Sequence, residues 1–248
     1  MKSTFSPHLL GSLLAAISLA GMAACGGSNE PVAQEERSGR QGNIISALTC
    51  EGTNDTTLVF LVIPYNGTDP DTMDVLQATK NHRVYGMPRV GDNLAILPSS
   101  ADSTVAERVV VIDDLCGRWT YQAYPTLRRR ADMPANEAAI GDSLRRLLDT
   151  PLEYSIDFKN DHTMLAFGAF RRPSEDDLVE YPKVRRYTEW QLNDSLQLLL
   201  TVSATDTTGQ RVTVAVDTAR FVRLANDSLV LNINNTERSF ARKASAKE

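Results

Sequence analysis

The sequence has little histidine and little cysteine, with three of each among its 248 residues. Outside the first 24 residues, the histidines are His82 and His162. No group of His, Cys, Asp and Glu shows the spacing of metal ligands. We therefore expect neither a metal site nor a cofactor.

Recognisable catalytic motifs are also missing. The sequence has no Gly-x-Ser-x-Gly elbow, phosphate-binding glycine-rich loop, Gly-x-Gly-x-x-Gly fingerprint or His-Glu-x-x-His. Carboxylates are plentiful, and an acid/base pair is conceivable for Glu153 with Asp157, or for Glu175 with Asp176 and Asp177. Solvated turns and strand faces account for both sets more simply. We expect a protein that is not an enzyme.

Positive charge is not in excess. The chain has 26 basic and 31 acidic side chains, which gives a net charge of −5. Sequence-independent binding to nucleic acid depends on neutralising phosphates with clustered Lys and Arg. We therefore expect no nucleic-acid partner.

No apolar run is long enough to be retained in a membrane. The run at residues 9–20 is interrupted by Gly11, Ser12 and Ser18, whereas a spanning helix needs about 20 apolar residues. Lys2 precedes this run and small residues follow it. This layout predicts a secretory signal peptide at residues 1–24.

The segment Met22-Ala23-Ala24-Cys25 resembles the lipobox of bacterial lipoproteins, with Met22 where Leu is commoner. The resemblance implies that Cys25 becomes the N-terminus and carries acyl chains such as palmitate, which hold the protein at a membrane. Ordinary cleavage nearby, with Cys25 left as a free thiol, is the alternative. Residues 25–42 have little to bury and predict a flexible tether. Gly26 favours the outer membrane of the cell envelope over the inner one, and its periplasmic or surface face stays open.

Two cysteines, Cys50 and Cys116, remain in the predicted folded part. In an oxidising compartment they could form a disulfide. Two separate buried thiols are the equal alternative.

Residues 43–114 contain short β-branched runs separated by Gly, Pro, Asn and Asp. The runs are IISALTC, TTLVFLVIPY, TMDVLQATK, RVYGM, NLAILP and ERVVVIDDL. They predict a small domain, an OB/SH3-like barrel of five or six strands.

Residues 115–248 read as a nearly uninterrupted β-meander. Three joints between apolar runs are Asn-Asp pairs, at 160–161, 193–194 and 226–227, and such residues suit tight hairpins. Three hairpins, an opening strand at Trp119 and a closing strand at Phe240 make eight strands, a suitable number for a closed up-and-down barrel. One inserted helix is predicted between Pro134 and Pro151. The fold class is therefore all-β.

The motif Gly117-Arg118-Trp119 resembles the Gly-x-Trp start of lipocalins. Lipocalins also place an Arg near the chain end across that Trp, a part that Arg238 or Arg242 can take. The whole layout is similar to the lipocalin-like lipoproteins of the Bacteroidota. The resemblance implies a lipocalin-like binding barrel, closed by a Trp119–Arg242 pair.

Aromatic side chains on the predicted strands either fill this barrel or line a ligand pocket. The pocket candidates are Trp119, Tyr154, Phe158, Phe167, Tyr187, Trp190 and Phe221. We expect a non-catalytic binder of a small apolar or amphipathic ligand or a glycan. The alternative is a structural or protein-interaction module of the cell envelope, with a protein partner.

Eight Asp-Ser/Thr pairs precede an aliphatic residue, Met or Thr, a pattern similar to the O-glycosylation motif of the Bacteroidota. The resemblance implies O-glycosylation at exposed sites, foremost Thr72, Ser103 and Thr207. Alternatively, Asp-Ser before an apolar residue is the way in which a hairpin turn enters a strand.

Overall fold

A computed structural model describes residues 40–41, 43–128, 141–168, 179–182 and 185–243. Arg37–Glu248 form one compact unit. The predicted signal peptide, the lipidation site Cys25 and most of the tether lie outside the described residues. No helix in the described part of the chain is long and apolar enough to cross a bilayer.

Short strands dominate the chain up to residue 115. In chain order the elements are β1 (Arg40–Gln41), β2 (Ile44–Thr49), β3 (Thr57–Val62), β4 (Asp71–Asp74), α1 (Leu76–Lys80), β5 (Val84–Tyr85), β6 (Asn93–Pro98), β7 (Ala106–Val111) and α2 (Ile112–Leu115). The strands form one sheet, here called the N-terminal sheet, in the order β4-β3-β2-β6-β7-β5, with β1 paired to β2. Strand β5 runs parallel to β7, and the other pairs of strands are antiparallel.

This sheet has seven strands, whereas the sequence predicted five or six. The additional strand is β1, which lies in the predicted tether and pairs Arg40 with Ile45. The run TMDVLQATK, predicted as a strand, is divided into β4 and α1. The Asp74 carboxylate accepts a hydrogen bond from the Leu76 N–H at 2.8 Å, which favours a turn at this point.

Most of the described residues after 116 form a second, eight-stranded sheet. In chain order the elements are β8 (Gly117–Ala123), β9 (Thr126–Leu127), α3 (Asp142–Leu148), β10 (Leu152–Phe158), β11 (Met164–Gly168), β12 (Val179–Glu180), β13 (Glu189–Leu192), β14 (Leu198–Thr205), β15 (Arg211–Leu224), β16 (Ser228–Ile233) and β17 (Thr236–Arg242). The order is β11-β10-β8-β17-β16-β15-β14-β13, and β9 pairs separately with β12.

This second sheet is the predicted eight-stranded meander, nearly closed into a barrel. All three Asn-Asp pairs lie in hairpin turns, between β10 and β11, β13 and β14, and β15 and β16. The edge strands meet at a bridge between Thr163 and Glu189. Beside it, the Met164 N–H donates to the Thr188 carbonyl at 2.9 Å. The all-β prediction is confirmed.

The helix predicted between Pro134 and Pro151 is described only in part. Its described part, α3, ends at Leu148, before Pro151. Pro134 lies outside the described residues. Strand β15 is continuous over 14 residues.

The N-terminal sheet packs against the end of the barrel that carries the Asn-Asp turns. A single hydrophobic cluster joins Ile44, Ala95, Leu97 and Val110 of this sheet to the barrel interior. The Arg108 side chain donates to the Ser195 carbonyl at 3.1 Å, and the Arg89 side chain donates to Asn226 Oδ1 at 2.9 Å. The two segments predicted as separate domains therefore share part of their core.

Candidate functional site

Six of the seven aromatic side chains predicted to line a pocket are buried: Trp119, Tyr154, Phe158, Tyr187, Trp190 and Phe221. All except Tyr154 belong to the shared hydrophobic cluster, together with leucines of β14 and β16. The Phe158 and Trp190 rings pack edge to face, with centroids 6.0 Å apart. These side chains fill the barrel core, which was one of the two alternatives.

Phe167 does not belong to this core. Met164 on the same strand is buried, and side chains alternate along a strand, so position 167 faces outward. Phe167 is 40% exposed, and the Arg118 guanidinium lies 4.4 Å from its ring centroid. Its prediction as a pocket residue is therefore wrong.

One cavity lies between the N-terminal sheet and the barrel, and we call it the cleft. It has a volume of about 500 Å³, within the range typical of small-molecule sites. The residues that line it are Ile44, Ser46, Ala47, Ile63, Asn93, Leu94, Ala95, Ile112, Asn160, His162, Trp190, Gln191 and Leu192.

The chemistry of the cleft is neutral and amphipathic. Apolar side chains come mostly from β2, β6 and α2, while Asn93, Asn160 and Gln191 supply amide groups. Among the described lining residues there is no Asp, Glu, Lys or Arg. Such a surface can offer hydrogen bonds and apolar contact to an uncharged molecule, because neutral amides both donate and accept.

One wall of the cleft is built by the first Asn-Asp turn. His162 adopts a φ of 66°, and its ring centroid lies 4.6 Å from that of Trp190. The Trp190 side chain donates to the Lys159 carbonyl at 3.0 Å. Asp161 accepts hydrogen bonds from the Thr163 N–H at 2.9 Å and from its hydroxyl at 2.6 Å, which lower the Asp161 pKa.

The sequence identified this turn but not its role. Asn160-Asp161 was recognised as a hairpin, and Trp190 as a pocket candidate. The other residues that line the cleft were not predicted as site residues, because they come from two segments that were predicted to be separate domains. No local pattern indicates which strands of one segment face the turns of the other.

The predicted barrel-closing pair is in contact. Strand β17 pairs Arg242 with Trp119 on β8, and the Arg242 guanidinium carbon lies 4.2 Å from the Trp119 ring centroid. The same guanidinium donates to the backbone carbonyls of Asn226 at 2.6 Å, Cys116 at 3.1 Å and Asp114. Arg238, the other candidate, lies instead over the Tyr121 ring, at 5.6 Å.

A buried carboxylate lies on β15. Asp217 is 4% exposed and accepts hydrogen bonds from Arg185 at 2.8 Å, Tyr187 at 2.7 Å and Asn234 at 2.7 Å. Burial and, after it, the bond to Asp217 raise the pKa of Tyr187. With three partners, this carboxylate is satisfied inside the protein and has a structural role.

Glu153 and Asp157, which were considered as an acid/base pair, each form an ion pair with a lysine. Glu153 is ion-paired with Lys243 at 2.8 Å, and Asp157 with Lys159 at 2.8 Å. The second set, at residues 175–177, lies outside the described residues.

The two cysteines are separate free thiols in the structure, as in the second alternative, but both are half-buried instead of buried. Cys50 ends the β2 region, where its thiol lies 3.7 Å from the Leu48 carbonyl. Cys116 follows α2, and burial together with nearby Asp113 raises its pKa to about 12. No group of three His, Cys, Asp or Glu in the described part of the chain can hold a metal ion.

The three foremost O-glycosylation candidates are exposed. Thr72 lies on β4, Ser103 in the turn before β7, and Thr207 in the β14–β15 turn. Asp102 and Asp206 each accept hydrogen bonds from the Thr two positions later, which lower their pKa values. Asp102 and Asp206 therefore stabilise turns, as the alternative to glycosylation states. Ser103 and Thr207 are nevertheless exposed.

Comparison of the chain with protein-family models, with curated proteins and with solved structures gave no match.

Proposed function

We propose that the protein is a membrane-anchored lipoprotein of the cell envelope that binds a small, neutral, amphipathic molecule or a glycan without catalysing a reaction. The anchor rests on the lipobox resemblance at residues 22–25. The binding role rests mainly on one observation, the cleft of about 500 Å³ with its uncharged lining.

The cleft supports this proposal better than the barrel interior does. The barrel aromatics belong to a packed hydrophobic core, and apolar ligands need unfilled volume. The cleft instead combines apolar walls with amide groups and the exposed His162 ring, which packs on the buried Trp190. Sugars and hydroxylated lipids use both apolar and hydrogen-bonding contacts. We therefore propose the ligand site at the covered end of the barrel, instead of the barrel interior that the sequence suggested.

Native mass spectrometry of the protein from its own host, freed of its acyl chains, tests the proposal. We expect a bound molecule of low mass that remains with the folded protein and leaves on unfolding. A stoichiometric co-purifying protein with no small molecule would contradict binding in the cleft and support the interaction-module alternative.

The position of the ligand is tested with the variant Gln191→Ala. Gln191 lies on β13 at the cleft and is exposed, so its truncation removes one amide without opening the core. Loss of a hydrogen bond of about 1 kcal/mol weakens binding roughly fivefold. The control Gln210→Ala, in the exposed turn before β15, should leave the bound fraction unchanged. Equal occupancy in both variants would place the ligand elsewhere.

A further inference from the structure

A second pocket lies between the same two halves of the protein, on the other side of the turn between β13 and β14. Its volume is about 160 Å³, which suits a small chemical group. Its lining residues are Arg83, Tyr85, Arg108, Leu196, Gln197, Arg220 and Phe221. Three of them are arginines, so its chemistry differs from that of the neutral cleft.

The positive charge of this pocket is only partly compensated. Arg83 and Arg108 share one carboxylate, Glu107, at 3.6 Å and 3.3 Å. Arg220 contacts Asn235 Oδ1 at 3.5 Å, a neutral oxygen at the limit of hydrogen-bond distance. Within the described residues, Glu107 is the sole acidic side chain ion-paired with this group. Three guanidinium groups and one carboxylate leave two positive charges, which repel each other unless an anion is bound.

The pocket also has an apolar floor. The Tyr85 and Phe221 rings pack with centroids 5.2 Å apart, and Leu196 adjoins them. A tyrosine hydroxyl such as that of Tyr85 can donate a hydrogen bond at neutral pH. Exclusion of water by such a floor strengthens the attraction between a guanidinium group and an anion.

We propose that this pocket binds a phosphate group. Guanidinium groups match the oxygens of a phosphate through paired charge-assisted hydrogen bonds, and a doubly charged phosphate compensates the two excess positive charges. The volume accommodates the phosphate and little else, so the rest of a phosphorylated molecule extends into solvent. This proposal is independent of the ligand in the cleft.

Calorimetric titration of the protein with inorganic phosphate, at constant ionic strength in chloride, tests the proposal. We expect saturable binding that is about tenfold weaker in Arg220→Gln, because one charge-assisted contact is lost. Arg220 is exposed on β15, so this variant should fold normally, as circular dichroism can verify. The matched control is Arg211→Gln on the same strand, which removes an equal charge outside the pocket and breaks an exposed ion pair with Glu189.

A second titration uses vesicles of phosphatidylcholine that contain phosphatidic acid. It distinguishes a lipid headgroup from a soluble phosphate ester as the ligand. Binding to these vesicles that depends on Arg220, without binding of inorganic phosphate, supports the same site with a lipid headgroup as ligand. Binding of inorganic phosphate supports a soluble phosphate ester. The proposal is overturned if neither probe binds, or if Arg211→Gln weakens binding as much as Arg220→Gln does.

Discussion

Arg242 links the last strand of the barrel to the first one. Its guanidinium group covers the Trp119 ring and donates to three backbone carbonyls, two of which belong to the segment that joins the two sheets, at Asp114 and Cys116. A planar group with five donors can make all these contacts at once, whereas an ammonium group cannot. This side chain therefore fastens the end of the meander to its beginning.

Replacing Arg242 with Met keeps an apolar contact with Trp119 but leaves the carbonyls without their donor. We expect the free energy of unfolding to fall by about 2–4 kcal/mol, from the lost charge-assisted hydrogen bonds and cation–π contact. Urea denaturation followed by Trp fluorescence measures this. The neighbouring control Lys243→Met breaks an exposed ion pair with Glu153 and should cost less than about 1 kcal/mol. Equal losses in the two variants would refute the closing role.

Among the structural elements, the segment that leads into β13 is held by side chains more than by strand pairing. Strand β13 begins at Glu189, and before it Arg185 and Tyr187 both bind the buried Asp217 of β15. Tyr187 and Thr188 have high β propensity, so the sequence alone favours a strand that begins before Glu189. β propensity does not indicate that residues 185 and 187 are held by side-chain bonds to Asp217, which is distant in sequence, instead of by strand pairing.

The Tyr187–Asp217 bond gives this region a pH dependence on the alkaline side. The pKa of Tyr187 in the folded protein is raised above its ordinary value of 10.0. The folded state therefore holds this proton more tightly, so its stabilising contribution is complete below pH 10 and declines as the pH rises toward the folded-state pKa. The free energy of unfolding should fall by up to about 1.4 kcal/mol per pH unit from this one group.

The variant Tyr187→Phe tests this prediction. It should lower stability by about 1 kcal/mol at pH 7, because Asp217 keeps Arg185 and Asn234 as partners. Between pH 10 and 11 its stability should fall less steeply than that of the unmodified protein. The exposed tyrosine variant Tyr124→Phe should retain the full slope. Identical slopes in all three proteins would exclude the proposed linkage.

The elements that were predictable are those specified by local chemistry. Asn160-Asp161, Asn193-Asp194 and Asn226-Asp227 indicate three hairpins, and the opening strand expected at Trp119 is found as β8. Strand β1 was missed because Arg40 and Gln41 carry no β signal of their own and become a strand through pairing with β2. The cleft was missed for a related reason, since it exists only where two sheets meet.

At the scale of the whole molecule, the shared hydrophobic cluster predicts that the two sheets unfold together. Leu97 of the N-terminal sheet belongs to this cluster, and both tryptophans lie in the barrel. Leu97→Ala should therefore lower the free energy of unfolding by about 2–4 kcal/mol. Its effect should appear equally in Trp fluorescence, which reports on the barrel, and in far-ultraviolet circular dichroism, which reports on both sheets. An unchanged fluorescence midpoint would show that the sheets unfold separately.

The pairing of β1 with β2 determines how a pulling force would enter the protein. In the proposed lipoprotein, a force applied at Cys25 would reach the described residues at Arg40 and Gln41, whose two residue pairs with β2 can open one after the other. The next strand to bear the load is β2, and its Ile44, Ser46 and Ala47 line the cleft. Under the proposed membrane attachment, a pulling force would therefore act on the cleft wall before it acted on the barrel.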